Sequence, residues 1–148
     1  MGIYDNVIAT GEDILKFIPQ RAPMVMVEKL HKAEGGQTIG SFEVKKENIF
    51  CEDNYLQEPG LIENIAQTAA VGVGFEYRNE NKDVPTGYIG AVQKLTIHQL
   101  PKVGKSIFTE INVEHKVFNT TLINGKITCG NELIADCKMK IFLDEKND

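Results

Sequence analysis

With 148 residues, 42% of them hydrophobic and 25% charged, the chain has the length of one domain and enough apolar side chains to bury a core without staples. That composition excludes a disordered chain, and a net charge of -5 excludes a general electrostatic pull toward nucleic acid. The cysteines Cys51, Cys129 and Cys137 are odd in number and lack CxxC spacing, which speaks against a disulfide framework and against a zinc site.

The chain starts Met1-Gly2-Ile3-Tyr4-Asp5-Asn6, without the basic start and apolar run of a signal peptide, so a cytoplasmic protein is expected. Thr10-Gly11-Glu12-Asp13 before Ile14-Leu15-Lys16-Phe17-Ile18 reads as a capped short helix over about 11–18, which Pro19 closes. Met24-Val25-Met26-Val27 and the β-branched and aromatic run Thr38 to Val44, separated by the Gly35-Gly36 turn signal, predict a first hairpin. Pro59-Gly60 then opens a helix over about 60–78, with Leu61, Ile65, Ala69 and Val73 at helical spacing. Ala66, Ala69, Ala70, Gly72 and Gly74 make it small-sided, which suits a helix that other backbone approaches closely. Its apolar stretch, Leu61 to Phe75, is interrupted by Glu63, Asn64 and Gln67 and is too short to span a membrane.

The remaining segments read as strands: Gly87 to His98, Ser106 to Val117, Thr120 to Cys129 and Glu132 to Leu143. Gly130-Asn131 joins the last two as a two-residue hairpin turn. In the last strand Leu133, Ala135, Cys137, Met139 and Ile141 alternate against Glu132, Asp136, Lys138 and Lys140, so one face is expected to be buried. Glu145 to Asp148 reads as a frayed polar tail. With no repeat, low-complexity tract or linker, one domain over 1–148 is expected. The class is α+β: an antiparallel sheet curled around one long central helix, the hotdog shape. Unpaired sheet edges in such a domain predict a homodimer.

Three stretches resemble the 3-hydroxyacyl-(acyl carrier protein) dehydratase families. Ile18-Pro19-Gln20-Arg21-Ala22-Pro23-Met24-Val25-Met26-Val27-Glu28-Lys29-Leu30 is similar to their "LPHRxPFLLVDRV" opening, with Gln20 where a histidine commonly stands. Pro59-Gly60-Leu61-Ile62-Glu63-Asn64-Ile65-Ala66-Gln67-Thr68-Ala69 is similar to "PGVLxxEAMAQ". Gly87 to Leu95, leading to Leu100-Pro101-Lys102-Val103-Gly104-Lys105, is similar to the strand and turn after that helix. The "GHFPG" loop of the main enzymes, with its catalytic histidine, has no counterpart in Phe50 to Glu58. The better match is a divergent branch associated with aryl-polyene and flexirubin-type pigment synthesis, in which that loop is similarly absent.

The resemblance implies a lyase that removes water from a 3-hydroxyacyl thioester on an acyl carrier protein, with no metal or cofactor. Such a reaction needs a base for the α-proton, an acid for the departing hydroxyl and donors for the thioester carbonyl. Glu63 is the candidate proton carrier, and Gln67, one turn on, is placed to hydrogen-bond it. Backbone N–H groups at Gly60 and Leu61 are candidate carbonyl donors, as helix starts present unpaired N–H groups. Asn54 and Tyr55 occupy the place of the missing loop and are candidate substrate contacts, although loop polarity is the simpler account of them. Arg21 and Lys94 are candidate contacts to an acidic carrier, with Lys29, Lys32, Lys102 and Lys105 as further basic positions.

Simpler readings compete with each of these. With Gly60 as the cap, Glu63 would stand at the third helical position, where a carboxylate commonly caps a free N–H. His31, His98 and His115 read as surface or hairpin histidines. Two other functions also fit: a partner subunit that pairs with a histidine-bearing homologue, and a hotdog acyl thioesterase, in which one carboxylate activates water.

Overall fold

The computed structural model describes residues 2–144, so the tail expected over 145–148 lies outside the described residues. The first hairpin is built from β2 (Lys29–Glu34) and β3 (Gln37–Glu43), and β2 also pairs with the short β1 (Ala9–Thr10). The apolar run Met24 to Val27, expected as the first strand, is extended loop, and the strand falls one step later in the chain. The physical reason lies in hydrogen bonding: the N–H and carbonyl of Met26, at the centre of the run, are taken by side chains of the central helix instead of a neighbouring strand. Gly11–Lys16 forms a 3-10 helix, shorter and tighter than the helix expected over 11–18.

A small hairpin of β4 (Cys51–Glu52) and β5 (Tyr55–Leu56) precedes the long helix α1 (Glu58–Asn79). Four long strands follow: β6 (Thr86–Ile97), β7 (Ser106–Val117), β8 (Thr120–Cys129) and β9 (Glu132–Asp144). The main sheet is antiparallel in the order β1-β2-β3-β7-β8-β9-β6, leaving β6 at one edge. Gly130 (φ 57°) and Asn131 (φ 69°) both take the left-handed conformation that a two-residue turn between right-twisted strands requires. The sheet packs against α1 through Leu61 and Ile65 on the helix and Ile107, Ile111, Ile123, Ile127 and Met139 on the strands, all essentially buried. This is the hotdog fold.

Small residues let helix and sheet approach. A Cβ on Gly72 would stand 2.0 Å from Thr38 Oγ1, and one on Gly125 would stand 2.6 Å from Ile65 Cγ2. Strand β9 departs from the expected alternation at its start: Leu133 is exposed and Ile134 is buried. The β8–β9 pairing shifts register beside Ile127 and Thr128, and this bulge changes the phase of the strand by one residue before Ala135, Cys137 and Met139 resume the buried face.

Cys51, Cys129 and Cys137 are free thiols. Burial, with a smaller contribution from Asp136, pushes the Cys137 thiol up from 9.0 to about 11. Its folded value is raised, so the stability it contributes is complete below pH 9 and is lost as pH rises toward about 11. Native protein at pH 8 is expected to alkylate at the half-buried Cys51 and Cys129 well before Cys137. Peptide mass spectrometry of partly labelled protein checks this order; first labelling at Cys137 would contradict it.

Candidate active site

The start of α1 sets the register of everything that follows. The helix is entered from Gln57, with Glu58 and Pro59 in its first turn, because proline suits a position whose N–H needs no partner. Glu63 therefore stands beyond the first turn rather than at the third helical position, and the N–H-capping explanation of its carboxylate does not apply. The backbone N–H groups of Gly60 and Leu61 both donate to the Gln57 carbonyl, at 3.0 and 3.3 Å. They are not free to polarise a substrate carbonyl, which corrects the expectation for these two residues. Both are buried, and a Cβ on Gly60 would meet Leu56 and Phe50 at 2.7 and 2.8 Å, so that glycine serves packing.

Glu63 and Gln67 are brought together. The Gln67 amide, 1% exposed, donates through Nε2 to Glu63 Oε1 and to the Met24 carbonyl, each at 2.8 Å, and accepts at Oε1 from the Met26 N–H at 2.7 Å. The three partners dictate the amide's orientation, since an N–H needs an acceptor and the two oxygens need donors. Met24 to Met26 follows a cis Ala22-Pro23 peptide, and a second helix residue grips it: Asn64 Nδ2 donates to the Met26 carbonyl at 2.7 Å while Asn64 Oδ1 accepts from Thr109 Oγ1. Asn64 escaped the sequence reading because its partners lie 38 and 45 positions away. Asn64→Ala is expected to cost about 2 kcal/mol, because it strips buried partners from a carbonyl and a hydroxyl. Chemical denaturation of the variant checks the value, and a loss below about 0.5 kcal/mol would contradict the network's role.

Glu63 lines a cavity of about 470 Å³ between α1 and the sheet. Ala66, Ala69, Ala70 and Val73 form its helix wall, Ile111, Ile123, Ile141 and Leu143 its sheet wall, and Tyr88 and Ile89 carry it to the edge strand β6. Phe17, Pro19 and Gln20 close another side, and Glu76, Tyr77 and Lys116 also border it. A mostly apolar cleft with few polar groups is the usual form of a small-molecule site.

Other expected site residues lie elsewhere. Asn54 and Tyr55 belong to the β4–β5 hairpin; Tyr55 lines a separate cleft with Lys102, Lys105 and Cys129, and Asn54 accepts from the Val103 N–H at 3.0 Å. Neither residue lines the cavity that holds Glu63. Arg21 Nη1 donates to the carbonyls of Ile18 and Gln20, each at 2.8 Å, while the side chain stays exposed. Lys94 is exposed on a register shift in β6, with φ of 51°. It contributes, after Lys138 and Asn124, to holding the Glu114 carboxyl below its ordinary value.

No histidine lines the cavity. His31 is buried, hydrogen-bonded to the Asn6 carbonyl at 2.8 Å and to Ser41 Oγ at 2.7 Å, with Tyr4 and Phe108 around its ring. His98, just after β6, and His115, on β7, are exposed. Among the described residues no group of His, Cys, Asp or Glu could hold a metal ion, and no helix is long and apolar enough to cross a membrane.

Comparison with known proteins agrees with this architecture. The chain is 23% identical over 141 residues to a 3-hydroxyacyl-[acyl-carrier-protein] dehydratase FabZ of Clostridioides difficile, covering 91% of this chain and 97% of that protein. A FabZ of Natranaerobius thermophilus is 26% identical over 140 residues, covering 90% and 96%. The fold is similar to the dehydratase heterocomplex ApeI:P from Xenorhabdus doucetiae, with a TM-score of 0.83, 16% identity, and coverage of 90% of this chain and 91% of that one. The family model described as ApeP-like, ApeP dehydratase, matches residues 12–148, and the chain belongs to that family.

Proposed function

We propose that this chain is the Glu63-bearing component of a dehydratase that removes water from 3-hydroxyacyl thioesters carried on an acyl carrier protein. The observation that carries this reading is the Glu63 carboxyl, held by Gln67 on the wall of an otherwise largely apolar cavity. In the reaction the α-C–H bond breaks and its electron pair forms the C=C bond as the C3–O bond breaks; the departing hydroxyl takes a proton and leaves as water. In this reading Glu63 moves the proton at the reacting carbons, supported by its hydrogen bond from Gln67 and its place in the cavity lining. A hydrolytic thioesterase would use the same carboxyl on water, and release of free thiol rather than enoyl thioester would reveal it.

The second polar group comes, in this reading, from a related hotdog subunit. Two observations support it: no histidine lines the cavity, and the cavity runs out to Tyr88 and Ile89 on β6, an edge strand that is exposed along most of its length. An edge of this kind invites pairing with another chain, and the ApeI:P assembly of Xenorhabdus doucetiae shows by its name that a similar fold occurs in a heterocomplex. A homodimer is the competing assembly. Arg21 and Lys94 are exposed cations that suit an acidic carrier protein, and the whole reaction belongs to fatty-acid or polyene-type synthesis in the cytoplasm.

Mass spectrometry of 3-hydroxyacyl carrier-protein thioesters tests the reading, with this chain alone and with a co-expressed histidine-bearing relative. Loss of one water in the mixture, at least about 100-fold faster than with either chain alone, is expected if each subunit supplies one of the acid-base groups. Full activity of this chain alone as a homodimer would remove the need for a partner, and no dehydration under any combination would overturn the dehydratase function.

A further inference from the structure

Besides Glu63, the cavity is lined by the polar side chains of Gln20, Thr38, Glu76, Tyr77, Lys116 and Thr121, and Gln20 is set apart from them by its hydrogen bonding. Gln20 lines the cavity with Glu63, and its Oε1 is buried without a hydrogen-bond partner; it is the one such side-chain atom among the described residues. Its backbone is well held: Pro19 precedes it, and Arg21 Nη1 donates to the Gln20 carbonyl at 2.8 Å. A buried acceptor without a donor costs free energy comparable to a lost hydrogen bond, and an apolar side chain of similar shape would avoid that cost. Gln67 shows the contrast, since its amide oxygen accepts one hydrogen bond and its amide nitrogen donates two within the protein.

We propose that Gln20 is a substrate-positioning residue whose amide oxygen accepts a hydrogen bond from the 3-hydroxyl of the bound acyl chain. This rests on the dehydratase reading of the cavity. The acyl chain of a 3-hydroxyacyl thioester carries one hydrogen-bond donor, the 3-hydroxyl, and the alanine, valine, isoleucine and leucine walls offer that hydroxyl nothing. The terminal amide torsion of glutamine is broad, so the oxygen turns toward an entering donor with little strain. Accepting from the hydroxyl hydrogen leaves the hydroxyl lone pairs free to receive the proton that lets water depart, so Gln20 orients the leaving group without moving a proton itself.

Binding to the cavity tests this without turnover. The ligands are amide-linked analogues of 3-hydroxydecanoyl-pantetheine and decanoyl-pantetheine, in which nitrogen replaces the thioester sulfur and elimination is suppressed. Wild type is expected to bind the hydroxylated analogue about fivefold more tightly, the size of one neutral hydrogen bond. Gln20→Met is expected to abolish that preference while binding the unhydroxylated analogue as wild type does, and Gln20→Asn, which keeps a shorter amide, guards against a folding defect. A preference retained in Gln20→Met overturns the assignment alone, as does equal weakening of both ligands in both variants, the behaviour of a mere wall residue. Failure of wild type to bind either analogue overturns the reading of the cavity, and this assignment with it.

Discussion

Glu63→Gln is expected to lower the dehydration rate of the active assembly by about 10²- to 10⁴-fold, the usual contribution of a positioned proton carrier. The substitution keeps the shape of the side chain and keeps an oxygen to accept from Gln67 Nε2, 2.8 Å away in the native protein. What it removes is the exchangeable carboxyl proton. Stability is therefore expected to stay within about 1 kcal/mol of wild type, since Glu63 is only half-buried and its partner remains bonded. The assay is loss of one water from the carrier-bound thioester, followed beside thermal unfolding of the same preparation. Undiminished turnover in a folded variant would remove Glu63 from the chemistry.

Gly74→Ala carries the largest expected effect on stability, about 3 kcal/mol or more of destabilisation. Helix propensity alone predicts the opposite sign, a gain of about 1 kcal/mol for replacing a glycine inside a helix with alanine. The close approach decides between them. A Cβ at position 74 would stand 2.2 Å from the Phe17 carbonyl oxygen and 2.7 Å from the Phe17 Cα. These are backbone atoms, so no rotamer change relieves the contact, and the segment Gly11 to Ile18 must lift away from the helix. With it go Ile14, Phe17 and Ile18, all buried, and the edge-to-face contact of Phe17 with Phe75, whose ring centres are 5.6 Å apart. Gly87→Ala is the control: a Cβ there meets its nearest side-chain atoms at 3.6 Å, and near-neutral stability is expected. Equilibrium denaturation of the two variants separates the cases, and a stabilised Gly74→Ala would show that propensity outweighs the contact.

The loss of the Phe17 segment would also reach the cavity, because Phe17, Pro19 and Gln20 form one of its sides. Activity in Gly74→Ala is thus expected to fall with stability, whereas in Glu63→Gln the two separate. That difference distinguishes a residue that carries chemistry from one that supports the wall around it.

Much of this molecule follows from residues that are close in sequence. The strand limits Ser106–Val117 and Thr120–Cys129 coincide with the segments that read as strands, and the Gly130-Asn131 turn has the backbone its residue types demand. The Glu63–Gln67 pair follows from helical geometry alone, four residues apart on one face. The tertiary structure decided what depends on distant partners. Met24 to Met26 looks like a strand by composition, yet Asn64 and Gln67, 38 and 41 positions away from Met26, hold it as a loop. The Gly60 and Leu61 N–H groups look available until the helix begins at Glu58 and the Gln57 carbonyl takes both. Leu133 follows the alternating pattern, but the bulge in the β8–β9 pairing exposes it and buries Ile134 instead. Periodicity reports a residue's neighbours along the chain, while hydrogen-bond satisfaction, strand register and close approach are settled only where distant segments meet.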